Sequence, residues 1–166
     1  MKKTVICLGV LAILLLAGDL KQNSDGELIY SFGDGISCIL EQATEEVCPG
    51  FFVCDDYYDA NEDGILTPGE CDGIKAIWSA FDDDIMYIMS FWQGQEGKEL
   101  ELFIWPHIGD VIHMYYDPLP TDDSYALYED DAFEFYTHSN TYEGTWDYIW
   151  VLDQKFYARS SFTLVE

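Results

Sequence analysis

Between residues 145 and 153 the chain alternates with a period of two. Trp146, Tyr148, Trp150 and Leu152 fall on one side and Asp147, Ile149, Val151 and Asp153 on the other. Successive side chains of a strand point to opposite faces, so this spacing predicts a β-strand with one face committed to a core. Similar runs occupy about 85–92, 99–105, 111–116, 125–129, 132–138 and 156–164, and 27–32 reads as a further strand. They are separated by turn material: GQEGK, PHIGD, DPLPTDD and HSNTYEG. Connections this short favour an antiparallel meander, either an open sheet or a small barrel. With 49% hydrophobic and 16% aromatic residues, the chain has enough apolar surface for a real core despite its acidity.

The pattern changes before residue 84. Residues 59–70 read DANEDGILTPGE. A hard cation such as Ca²⁺ takes six to eight oxygen ligands, and a twelve-residue loop supplies them at positions 1, 3, 5, 7, 9 and 12, with glycine at 6 for the turn. Those positions hold Asp59, Asn61, Asp63, Ile65, Thr67 and Glu70, and Gly64 stands at the turn. Asp59, Asn61 and Asp63 offer side-chain oxygens and Ile65 its carbonyl. Thr67 reaches the ion directly or through a water, and Glu70 closes the site with both oxygens. Leu66, at position 8, is apolar and suited to turn inward beneath the loop.

On these residues the chain resembles the EF-hand calcium-binding family over residues 51–81. The resemblance implies one Ca²⁺ per chain and a helix on each side of the loop. Thr67-Pro68-Gly69-Glu70 has the signature of a helix start, with an N-cap, proline at the first position and an acid at the third. Cys71, Ile74, Ile77, Trp78 and Phe81 then recur at helical spacing, predicting an exit helix to about residue 81. The entering segment, FFVCDDYY at 51–58, places Phe51, Cys54 and Tyr58 on one face of a short helix. EF-hands usually pair, but residues 30–41 put Tyr30 and Phe32 at ligand positions, and residues 117–128 put Leu119 there and Asp122 at the glycine position. The hand is solitary.

Lys2 and Lys3, an apolar run over 5–17, Gly18 and a polar stretch from Asp19 have the layout of a secretory signal. The run is short for a membrane span. Leu16-Ala17-Gly18-Asp19 resembles a bacterial lipoprotein signal with aspartate where the lipidated cysteine would stand, so no lipid anchor is expected. A secreted or periplasmic protein is the expectation, and an uncleaved N-terminal tether the alternative. Removing residues 1–18 leaves Cys38, Cys48, Cys54 and Cys71, all near the loop. In an exported chain, an even number suggests two disulfides, with three possible connectivities. Zinc is disfavoured because no Cys-x-x-Cys pair occurs.

Thirty-two acids against 7 bases give a net charge of −25. Such a surface repels nucleic acid and anionic membrane and attracts cations or basic partners. No Gly-x-Ser-x-Gly elbow, phosphate loop, His-Glu-x-x-His or dinucleotide fingerprint is present, and His107, His113 and His138 are scattered, so no enzyme is expected. The aromatic residues of the strands leave a carbohydrate- or small-ligand-binding β domain as the alternative function. The sequence therefore predicts an α+β fold: a short helical EF-hand region stapled by disulfides and packed on an antiparallel β-meander. In this layout 1–18 is a signal peptide and 19–26 a polar segment. Residues 27–166 form one unit, with a strand and turn over 27–35, the helical region over 36–83 and the β region over 84–166.

Overall fold

The alternating runs fold as strands, and so do the segments expected to be helical. The computed structural model describes residues 19–32, 35–62, 66–82, 85–106, 110–120, 123–138 and 143–166. The proposed signal segment, residues 1–18, lies outside them. Backbone contacts divide the chain after Glu41 into two units. The first unit contains β1 (Asp19–Gln22), β2 (Leu28–Ser31) and β3 (Ser37–Ile39), an antiparallel sheet in the order β1-β2-β3. Strand β4 (Glu41–Gln42) spans the division in sequence.

The second unit is built from two sheets. The larger contains β10 (Leu100–Trp105), β11 (Ile112–Tyr116), β13 (Gly144–Leu152) and β14 (Phe156–Val165) in the order β11-β10-β13-β14, all antiparallel. The short strand β8 (Ile77–Ser79) runs parallel to β14, pairing Leu164 with Trp78. The smaller sheet has β9 (Ile85–Gln93) between β12 (Asp123–Asp131) and β5 (Gly50–Cys54). Two further short strands, β6 (Asp56–Tyr57) and β7 (Cys71–Asp72), pair with each other.

Side chains from both sheets share one core. Leu102, Ile104, Trp146, Trp150 and Phe162 of the larger sheet meet Met86, Ile88, Trp92 and Ala126 of the smaller. Burial of such rings and aliphatic chains is the main stabilising term, at roughly 25 cal/mol per Å² of apolar surface. Trp146 stacks on Phe162 at 6.0 Å, and Phe135 meets both edge-on. The alternation that predicted β13 is the alternation that puts Trp146, Tyr148, Trp150 and Leu152 into this core. A pair of packed sheets stands in place of the open sheet or barrel. Between β13 and β14, Asp153 and Gln154 both take positive φ, the conformation that lets a tight hairpin follow the strand twist.

The expected helices are absent from the described residues, which correct the α+β reading to a β-sheet fold. Residues 51–58 contribute β5 and β6 instead of an entering helix. After Glu70 only one 3-10 turn forms (Pro68–Glu70), followed by β7 and β8. Exposure shows why the helical stripe misled: Trp78 is fully buried, whereas Ile74, Ile77 and Phe81 are 54, 63 and 61% exposed. The open edge of β14 decides the conformation, because Thr163 donates its amide to the Ala76 carbonyl and Ala80 donates to Val165. A sheet edge satisfies backbone groups that an isolated helix would have satisfied internally.

The reverse exchange occurs at 132–138, predicted as a strand and folded as the helix α1 (Ala132–His138). Ala132, Phe135 and Tyr136 are buried and Phe133 is not, a helical rather than an alternating pattern. Asp131 caps the helix by accepting the Phe133 amide at 2.7 Å.

Candidate metal centre

Strands β6 and β7 pair Asp56 with Asp72 and Tyr57 with Cys71, so the twelve-residue segment is the loop of a β-hairpin. The Tyr58 amide continues the ladder by donating to the Glu70 carbonyl at 2.8 Å. First and last ligand positions are thereby brought together by strand pairing, the task that the two helices perform in an EF-hand.

Glu70 turns its carboxylate back across the loop. One oxygen accepts the Ala60 amide at 3.0 Å; the other accepts the Thr67 amide and hydroxyl at 2.8 and 2.9 Å. The helix-start signature thus acts locally, with the third-position acid reaching the Thr67 backbone, although the helix ends after one turn. Asp59 is half-buried and its charge acts on this carboxylate, while Asn61 and Thr67 are exposed. Asp63, Gly64 and Ile65 lie outside the described residues. Among the described residues no three His, Cys, Asp or Glu side chains converge as a metal cluster.

The Thr67 amide and hydroxyl, helped by the Ala60 amide, hold the Glu70 carboxyl below the usual glutamate value of 4.5, against the charge of Asp59. A depressed folded pKa means that the closed loop is favoured above the unfolded glutamate value and loosens as pH falls through the lower folded one. In an NMR titration without metal, the Glu70 carboxyl is expected to titrate below 4.5, together with the Thr67 amide shift. A midpoint at or above 4.5 would contradict the closure.

A second, smaller core fastens the loop to the sheet. Leu66 is 7% exposed and packs with Cys54, Met89 and Phe91 on the face of β9 turned away from the main core. The inward role read for position 8 is therefore real, but its partner is a sheet rather than a second hand. Tyr57 and Tyr87 meet edge-on at 5.0 Å on the same side. Beside the loop, Leu66, Pro68, Phe91 and Trp92 contribute to a cavity of about 260 Å³.

Gly73 sets where the hairpin ends. Its φ is +61°, and a Cβ there would lie 2.2 Å from Asp55 Oδ2. Lys75 holds the same Asp55 carboxylate at 2.8 Å. Gly73→Ala is expected to destabilise the protein by about 1–3 kcal/mol through strain and displacement of Asp55. Urea unfolding measures this, and a change under about 0.5 kcal/mol would show that the local backbone is placed differently.

Among the described residues the two expected disulfides are not formed, and Cys48, Cys54 and Cys71 carry thiols. Cys48 is buried, with its thiol 3.5 Å from the Gly50 carbonyl, and burial pushes its pKa up to about 12. The aromatic alternative loses its strongest groups, since Trp78, Trp92, Trp146 and Trp150 are each at most 1% exposed and belong to the core.

Two polar pairs on the larger sheet were not legible in the sequence. Glu101 is 3% exposed and bonds His113 Nε2 at 2.8 Å, and His113 stacks on Phe103 at 4.0 Å. Asp147 pairs with Arg159 on the neighbouring strands. The register Phe103↔His113 and Ile149↔Arg159 creates both pairs, and register is a tertiary property. His113 is therefore an anchored group rather than a solvent-facing strand residue. His107 lies outside the described residues.

No protein-family model matches the chain, and no curated protein matches it, so the EF-hand resemblance rests on the loop itself.

Proposed function

We propose that this is a calcium-binding β protein in which residues 59–70 hold one Ca²⁺ in a hairpin loop, and that the ion's role is structural. The observation that supports the reading most is Glu70: strand pairing delivers its carboxylate to the Ala60 amide, beside the first ligand, Asp59. The donor set is all oxygen, as a hard cation requires. The hairpin also pairs Asp56 with Asp72, and like charges opposite each other on paired strands are destabilising. A divalent cation above them offsets that repulsion.

The secretory-signal layout of residues 1–18 supports an exported protein, and extracellular calcium modules bind at about 10⁻⁴ to 10⁻³ M. At calcium ten times the dissociation constant, linkage adds about 1.4 kcal/mol. For a domain of this size that corresponds to a rise of roughly 3–6 °C in Tm. Calorimetric titration with Ca²⁺, with Mg²⁺ as control, and thermal unfolding in calcium or chelator test the proposal. Saturable heat with a rise in Tm is expected. Absence of heat would remove the calcium reading; binding without a rise in Tm would remove the structural role.

A further inference from the structure

Three sulfur atoms meet beneath the loop. Cys54, the last residue of β5, and Cys71, the first of β7, both approach Met89 Sδ of β9, at 3.6 and 3.4 Å. Each thiol also acts electrostatically on the other. Cys54 is fully buried and Cys71 half-buried, and they belong to the small core that holds Leu66. In sequence they bracket the loop: Cys54 precedes Asp59 and Cys71 directly follows Glu70.

We propose that Cys54 and Cys71 are a reversible redox pair whose single disulfide closes the base of the loop and raises its affinity for calcium. The calcium part of this proposal rests on the function proposed above; the pairing does not. Cys48 takes no part, because its thiol is turned to Gly50. The three sulfurs are also a soft donor set. However, a monovalent soft ion held by two thiolates would leave net negative charge in an apolar cluster adjoining Glu70. A disulfide removes both ionisable groups from that cluster and leaves it neutral.

Glutathione disulfide is a sufficient oxidant. Cys71, the more accessible thiol, loses its proton and its thiolate attacks one glutathione sulfur. The glutathione S–S bond breaks, a mixed disulfide forms on Cys71, and glutathione thiolate leaves. Cys54 then loses its proton and attacks the Cys71 sulfur, expelling the second glutathione. Two electrons pass from the protein to the oxidant, and the two thiol protons end on two reduced glutathiones. Burial pushes the Cys54 thiol up to about 12, so the exchange is slow near neutral pH and accelerates with alkalinity.

The bridge removes conformers in which the two ends of the loop separate, and a more preorganised site binds more tightly. The test equilibrates the full chain with glutathione buffers of increasing oxidised fraction. Remaining thiols are alkylated and disulfide-linked peptides mapped by mass spectrometry, and calcium is then titrated into the reduced and oxidised proteins. A Cys54–Cys71 linked peptide, reversed by reduced glutathione, is expected, with calcium bound about tenfold more tightly in the oxidised protein. Cys71→Ser, at the more exposed position, is expected to abolish the redox dependence.

Linkage of Cys54 to another cysteine, or no linkage at full oxidation, would overturn the pairing. Equal calcium affinity in the two states would overturn the coupling. If the linked peptide forms and neither state binds calcium, the calcium reading fails and the pairing stands.

Discussion

Glu70→Gln is expected to weaken calcium binding roughly a hundredfold, because the affinity of such loops is set over several decades by ligand charge and site rigidity. The substitution preserves size and an oxygen that can still accept the Ala60 or Thr67 amide. It removes the negative charge and the two equivalent oxygens with which position 12 closes the site. The metal-free variant should therefore unfold close to wild type in chelator but lose the calcium-dependent rise in Tm. Calorimetry and thermal unfolding with and without calcium separate these effects. Equal calcium affinity in the variant would move the ion out of this loop, whereas a collapse of stability in chelator would make Glu70 a folding residue first.

Trp78→Ala is expected to cost about 3–5 kcal/mol, whereas Ile77→Ala should cost less than about 1 kcal/mol. The contrast separates the strand from the helix read in the sequence. On an amphipathic helix, Ile74, Ile77, Trp78 and Phe81 would share one buried stripe, and both truncations would open cavities. In the structure β8 turns Trp78 into the core, where its Nε1 donates to the Lys75 carbonyl at 3.2 Å and the Lys75 ammonium lies 4.1 Å over the ring. Ile77 faces outward beside it. Denaturant unfolding of the two variants gives the comparison directly, and similar large losses would restore the helical arrangement.

The longer strands of the second unit were legible because alternation is a local property, whereas β5, β6, β7 and β8 were read as helical. β9, β10, β11, β13 and β14 lie within a residue or two of the predicted runs. The same rule failed at 132–138, where Phe133 and Phe135 fit alternation but Ala132, Phe135 and Tyr136 fit a helix, and tertiary burial chose the second. In the loop, the sequence determined the chemistry: the oxygen donors, the inward Leu66 and the reach of Glu70 to Thr67 depend on side-chain type and short spacing. It did not determine what holds the loop's two ends.

Sequence alone established a β-rich, strongly acidic chain and a twelve-residue spacing of oxygen-bearing side chains, because composition, period and spacing are written within a few residues of one another. Only the tertiary structure decided that strands β6 and β7, rather than helices, carry that set. It also decided that Cys54 and Cys71 meet at Met89 while Cys48 stands apart, and that Trp78 is buried while Ile77 is not. Each of these depends on which distant strand edge or sheet face receives the segment: β14 for residues 77–79, and the outer face of β9 for the loop. Helical spacing at 71–81 was a true periodicity, but an open sheet edge satisfied the backbone of 77–79, and of its side chains only Trp78 is fully buried.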